Sequence, residues 1–357
     1  MPAPEVLIGG VMVAAAIAYA VLGGADFGGG VWDLLARGPR AAAHRAAVAA
    51  AIGPVWEANH VWLIFAIVLL FTAFPAAFAA LSVALFWPLH LVLVGIVLRG
   101  AAFVFRSYGR ATATAPSGWG AVFGAASALT PVLLGACLGA LSTGRIRVEG
   151  GVVVAGSQWA WLDPFPLATG ALALAVCAYL AAAYLTLETD GEVREDFRRR
   201  ALGAWLVGGV VSLATLLLAS VEAPRLWEGL TGPRAAPALV LGVALAPASA
   251  YAMVRRAFHA ARALAIGQVV ALLVGWTLAQ FPYIVYPDVI LGEAAAPAAT
   301  LWLVLWTIPF GLALLLPSLW LLFAVFKGRG PTALDRQPPT WEGETRTGNT
   351  SRRKRSA

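Results

Sequence analysis

Nine uninterrupted apolar runs dominate this chain, and they restrict it more than any motif does. A run of about 20 apolar residues is what a helix needs to cross roughly 30 Å of hydrocarbon. In lipid only helices and closed barrels satisfy their own backbone polar groups. Barrel strands would alternate polar and apolar over about ten residues, whereas the runs here are continuous. Charged residues make up 12% of the 357 residues and hydrophobic ones 60%. A soluble domain carries about 25% charged residues, so a water-facing surface cannot be built from this composition. The expected fold is an all-α integral membrane protein.

The predicted spans are 6–32, 46–74, 78–98, 119–141, 164–186, 201–221, 235–254, 263–285 and 300–326. Residues 1–327 are thus read as one transmembrane domain. The last residues, 328–357, are rich in Pro, Gly, Thr and Arg and end RRKRSA; they are expected to form a disordered basic cytoplasmic tail. The start of the chain has no basic segment before its apolar run, so it reads as a first helix and not as a signal peptide. The stretch RIRVEGGVVV, in the longest external loop, has the alternation of a small hairpin.

Orientation follows from the basic residues. With nine spans, all of the 25 Lys and Arg except Arg145, Arg147, Arg225 and Arg234 fall on one side. Basic loops stay in the cytoplasm, which places the N-terminus outside and the C-terminus inside. The net charge of +7 resides in short loops and the tail, so nucleic-acid binding is not indicated. Cys137 and Cys177 both fall within apolar runs and show no metal-ligand spacing.

An ionisable residue at membrane depth costs at least about 2.5–3.5 kcal/mol on insertion scales, so each needs a reason. Two acids qualify, Asp26 and Glu57; Asp33 is expected at the cytoplasmic edge. Glu57 lies in IGPVWEANHVWLI, among Trp56, Asn59, His60 and Trp62, and three residues before His60, a spacing that shares one helix face. It reads either as a protonatable relay or as a neutral acid bonded to a neighbouring helix. Asp26, in GGADFGGG, reads either as another step of that route or as a carboxylate paired with a loop arginine such as Arg99 or Arg45. His60 and His90 could ligate one haem between spans two and three, or serve as helix contacts. His44 and His259 read as loop histidines.

Three segments have a recognisable pattern: GADFGGGVWDLLA, IGPVWEANHVWLIF and LFTAFPAAFAAL, supported near the C-terminus by FPYIVYPDVILGEAAAP and LLLPSLWLLFAVFKG. Together they resemble subunit II of the cytochrome bd-type quinol oxidases, including the cyanide-insensitive ones. The resemblance implies two four-helix bundles plus one peripheral helix. It implies a partner, subunit I, that carries the haems (b and d, or b only), oxidises quinol and reduces oxygen to water. This chain would hold no haem or metal and no catalytic residue. It would support assembly and supply a proton path from the cytoplasm, with its acids at Glu57, after Trp56, and at Asp26. On the reading of the residues themselves, Asn59 and His60 extend that path and Arg99 supports it. Some members have Asp where this chain has Glu57. The resemblance leaves open a structural quinone and small accessory subunits, and sets the chain in the bacterial inner membrane, in contact with lipid. Two other readings stand beside it: a proton-coupled transporter using Glu57 and Asp26, and a bis-histidine membrane cytochrome.

Overall fold

The computed structural model describes residues 3–53, 56–108 and 118–327. The predicted tail and Arg110 lie outside the described residues. Among these, nine helical segments are long and apolar enough to cross a membrane.

Helix α1 spans Pro4–Leu34. The second predicted span is broken. A separate helix α2, Ala41–Ile52, precedes the single turn α3, Trp56–Asn59, and then α4, Val61–Ala73. The third is split as well, into α5, Pro75–Ala84, and α6, Phe86–Tyr108. The break before α5 falls at Pro75, whose missing N–H and ring clash end a preceding helix. Next come α7, Gly118–Ala140, and α8, Pro164–Glu188. Helix α9, Gly191–Glu222, begins ten residues before the predicted sixth span, so Arg194, Arg198, Arg199 and Arg200 are helical. Ion pairs of Glu195 with Arg198 and Arg199, three and four residues on, support those added turns. A short α10, Pro224–Thr231, leads to α11, Ala236–Val254, and α12, Phe258–Gln280. The predicted eighth span overran its helix, because Pro282 ends it and Tyr283–Val285 instead pairs with Val289–Ile290. Helix α13, Ala298–Lys327, is the last span.

Helices α1, α4, α6 and α7 form one four-helix group, and α8, α9, α11 and α12 the other. They meet where α8 packs on α1 and α7. Accordingly 67% of an 18-residue apolar stretch of α8 is buried. The first turns of α13 reach the core through Leu301, Val304, Leu305 and Ile308. Residues 1–312 form one compact unit; the rest of α13 falls in a second.

Lipid tails are as apolar as leucine, so helices in a membrane associate by close packing of small residues. The glycine-rich part of α1 does this. A Cβ on Gly28 would overlap the Cys177 carbonyl of α8, and one on Gly30 would overlap Ser127 of α7.

The external hairpin is present, though with only two residues per strand, Val148–Glu149 against Val152–Val153. It turns through Gly150 and Gly151, both at positive φ. Asp288 joins it to the second hairpin. The Asp288 carboxylate accepts from Arg147 Nε at 2.7 Å and from the Val148 amide at 2.8 Å. These contacts hold its carboxyl below the usual carboxylate range.

Candidate functional site

Asp26 is buried at 5% exposure in the α1 segment that packs on the other helices. Asn59 Nδ2 donates to Asp26 Oδ2 at 2.8 Å and ties α1 to the break between α3 and α4. Asn59 is itself buried. Asp26 lies eight residues from the end of α1, about 12 Å at 1.5 Å per residue, so this pair is well inside the helix bundle.

Arg99 corrects a sequence expectation. It was expected in the loop after the third span, but it lies within α6 and is 1% exposed. Its guanidinium sits 5.1 Å from the Phe27 ring centre, 5.6 Å from Phe123 and 5.8 Å from Trp56. It interacts electrostatically with Asp26 and Tyr19. A cation in this place survives because the Asp26 carboxylate offsets its charge and the ring faces offer negative potential. Arg45, the other partner considered for Asp26, instead donates to the Ala36 carbonyl.

Glu57 and His60 belong to one tight turn, in which the His60 amide donates to the Glu57 carbonyl at 3.2 Å. Their exposures nevertheless differ. His60 turns inward at 9% exposure, while Glu57 is exposed on the outer side of the chain. The His60 ring lies 5.7 Å from Tyr19, 6.1 Å from Phe27 and 6.2 Å from Trp56. His90 is exposed and donates from Nδ1 to the Phe86 carbonyl at 2.7 Å. A haem held by both histidines would need them across one gap, and here one is buried and the other exposed.

Tyr19 escaped the sequence reading. It is buried, and its ring packs on Phe27 at 6.4 Å. It stands seven residues before Asp26, which is two turns and the same helix face, and that spacing was the available signal.

The rim beneath this cluster is charged. Asp33 is 3% exposed and accepts from Arg106 at 2.6 Å, a tighter setting than the helix edge expected for it. Arg40 reaches Asp196 of α9 through two nitrogens, at 2.6 and 2.9 Å, and Glu192 at 2.9 Å. His44 is no loop histidine: it is buried on α2, 2.9 Å from Asp196 and 3.1 Å from Arg200. Burial, then the Arg200 charge, push its pKa below that of an ordinary histidine. His259 is likewise helical, in the first turn of α12.

These features define a polytopic helical membrane protein with a charge-balanced polar centre inside its first bundle. Sequence comparison makes the class specific. The family described as cytochrome bd terminal oxidase subunit II matches residues 4–326, and the chain belongs to that family. It is similar to cytochrome bd ubiquinol oxidase subunit 2 of Bacillus subtilis (strain 168), 27% identical over 173 residues, which are 48% of this chain and 49% of that protein. It is 30% identical over 210 residues to cytochrome bd-I ubiquinol oxidase subunit 2 of Escherichia coli (strain K12), covering 57% and 53%. The chain thus spans about half the length of the curated relatives it matches. Its fold is similar to a chain in the structure of bd oxidase from Geobacillus thermodenitrificans, with a TM-score of 0.77 at 21% identity, covering 92% of this chain and 99% of that one.

Proposed function

We propose that this chain is the haem-free subunit II of a bd-type terminal quinol oxidase. It sits in the bacterial cytoplasmic membrane with its N-terminus outside and its tail inside. Its partner is subunit I, which carries haems b and d, or b only. There quinol is oxidised and oxygen is reduced to water. Membership of the family and the resemblance of both ends of the chain support this reading.

The chain's own contribution is a proton path from the cytoplasmic side, and the buried Asp26–Asn59 bond beside Arg99 carries that reading. A carboxylate and a guanidinium offset each other's charge at rest, so the carboxylate stays available to take up a proton, and the one positive charge left on Arg99 during transit is faced by the rings of Phe27, Trp56 and Phe123. Glu57 supplies the outward-facing step. A carboxyl group on an apolar outer face needs water or a partner to cover it, and the heterodimer interface provides one. His60, one residue from Asn59, accepts a proton at one ring nitrogen while releasing the other.

The test is the complex itself. Purification through a tag on this chain in mild detergent should recover a haem-bearing chain in one-to-one ratio. Asp26→Asn should then leave haem content unchanged and slow proton uptake. Recovery of the tagged chain alone, or uptake at the wild-type rate, would sink the respective half of the proposal.

A further inference from the structure

The polar groups around Phe27 are unusually short of partners. Among the described residues, no hydrogen-bond partner reaches the Tyr19 hydroxyl, either ring nitrogen of His60, Trp62 Nε1, Ser127 Oγ, or Nε and Nη2 of Arg99. Tyr19 is 8% exposed, His60 9%, Arg99 1% and Ser127 0%. Folded interiors leave few polar atoms unpaired, and buried water commonly satisfies those that remain.

Three of these residues surround one ring. Tyr19 and His60 lie 6.4 and 6.1 Å from Phe27, and the Arg99 guanidinium lies 5.1 Å from it. Asp26 precedes Phe27 in the chain, and its partner Asn59 precedes His60. The Tyr19 ring rests on Gly23, where a Cβ would come within 2.8 Å of it. The glycine therefore lets the ring lie one turn nearer to Asp26. Tyr19 occupies the midpoint of α1, about 10 Å from Asp26 along the axis.

We propose that ordered water occupies this interior and joins the Asp26–Asn59 pair through His60 to Tyr19, whose hydroxyl is the mid-membrane end of the proton route within this chain. This inference rests on the reading that the chain carries such a route. Each transfer is balanced. The imidazole forms one N–H bond as it breaks the other, and the hydroxyl gains a proton on oxygen as it releases its own. No charge stays behind, and no electron moves. Tyr19 is a proton-carrying group, and the haem chemistry of the complex does not touch it.

The test uses the whole oxidase complex and a pH indicator during a single turnover. Tyr19→Phe removes only the hydroxyl and keeps the ring on Phe27, Gly23 and His60. The expected result is unchanged haem content, unchanged electron-transfer phases and proton uptake slowed by about a hundredfold, the low end of what a positioned proton-transfer group contributes. The bands of weakly bonded water in the infrared difference spectrum should shift in the same variant, which a purely structural role would not cause. Uptake at the wild-type rate in Tyr19→Phe overturns the inference. If Asp26→Asn is slowed while Tyr19→Phe is not, a route exists but bypasses Tyr19. If neither is slowed, the proton-path reading itself fails. Should Tyr19→Phe not assemble, His60→Gln in the same assay decides: slowed uptake with full haem supports the route, and a wild-type rate overturns it.

Discussion

Asn59 Nδ2 donates a 2.8 Å hydrogen bond to Asp26 Oδ2 and so binds the break in the second span to the glycine-rich half of the first. Asn59 and His60 are both buried here, while Glu57 is exposed.

Arg99 is expected to be needed for stability mainly because Asp26 is there. Arg99→Met removes a buried counter-charge and should destabilise the chain by about 3–5 kcal/mol, the usual effect of removing one partner of a buried ion pair. The double variant Arg99→Met with Asp26→Asn should recover much of that loss. Thermal loss of the folded chain in detergent measures both. Equal damage in the single and double variants would mean that packing against Phe27, Trp56 and Phe123, and not charge, makes Arg99 necessary.

Glu57 should behave as a titratable group at an interface. Glu57→Gln keeps shape and hydrogen bonding but cannot ionise, so an assembled complex with normal haem and reduced proton uptake is expected. Glu57→Asp should be milder, because the carboxyl group remains. A wild-type uptake rate in the Gln variant would leave Glu57 with an assembly role only.

His44 should make the α2–α9 contact sensitive to acid. Its pKa is lower in the folded chain than in the unfolded one, so the native state binds fewer protons. The stability it contributes is present above about pH 6.5, the unfolded value, and is lost as pH falls through the lower folded value. Asp196 draws the proton towards His44, while Arg200, Arg40 and the apolar Phe197 ring oppose it. Thermal inactivation compared at pH 7.5 and pH 5.5 should therefore show a larger drop in the wild type than in His44→Gln. An equal drop in both would remove His44 as the cause.

Gly28 should tolerate no side chain. A Cβ there would overlap the Cys177 carbonyl, so α1 and α8 would have to separate. Gly28→Ala is expected to cost about 1–3 kcal/mol or more, as overpacking does. Gly10→Ala, on the same helix with nothing within 4 Å, should be neutral. Similar yields of the two folded variants would argue against close α1–α8 contact.

The termini should lie on opposite sides of the membrane. A reporter active only outside the cytoplasm is expected to work when inserted near Gly150 and to stay silent after Arg355. Activity at the C-terminal position would contradict the orientation argued from Lys and Arg.

The sequence by itself determined the class and the number of spans. Hydropathy over about 20 residues is a local property, set by what lipid demands of each segment alone. It also determined which acids needed explaining, since a carboxyl group within an apolar run is visible without coordinates. Only the tertiary structure decided where these groups point. Arg99 read as a loop residue because one arginine after an apolar run looks like its end, and only the rings of Phe27, Trp56 and Phe123, from three other segments, show that the helix continues past it. Glu57 and His60 read as equivalent neighbours because spacing says which residues lie close together and not what covers them. Packing against Tyr19, Phe27 and Trp56 buries His60 and leaves Glu57 exposed.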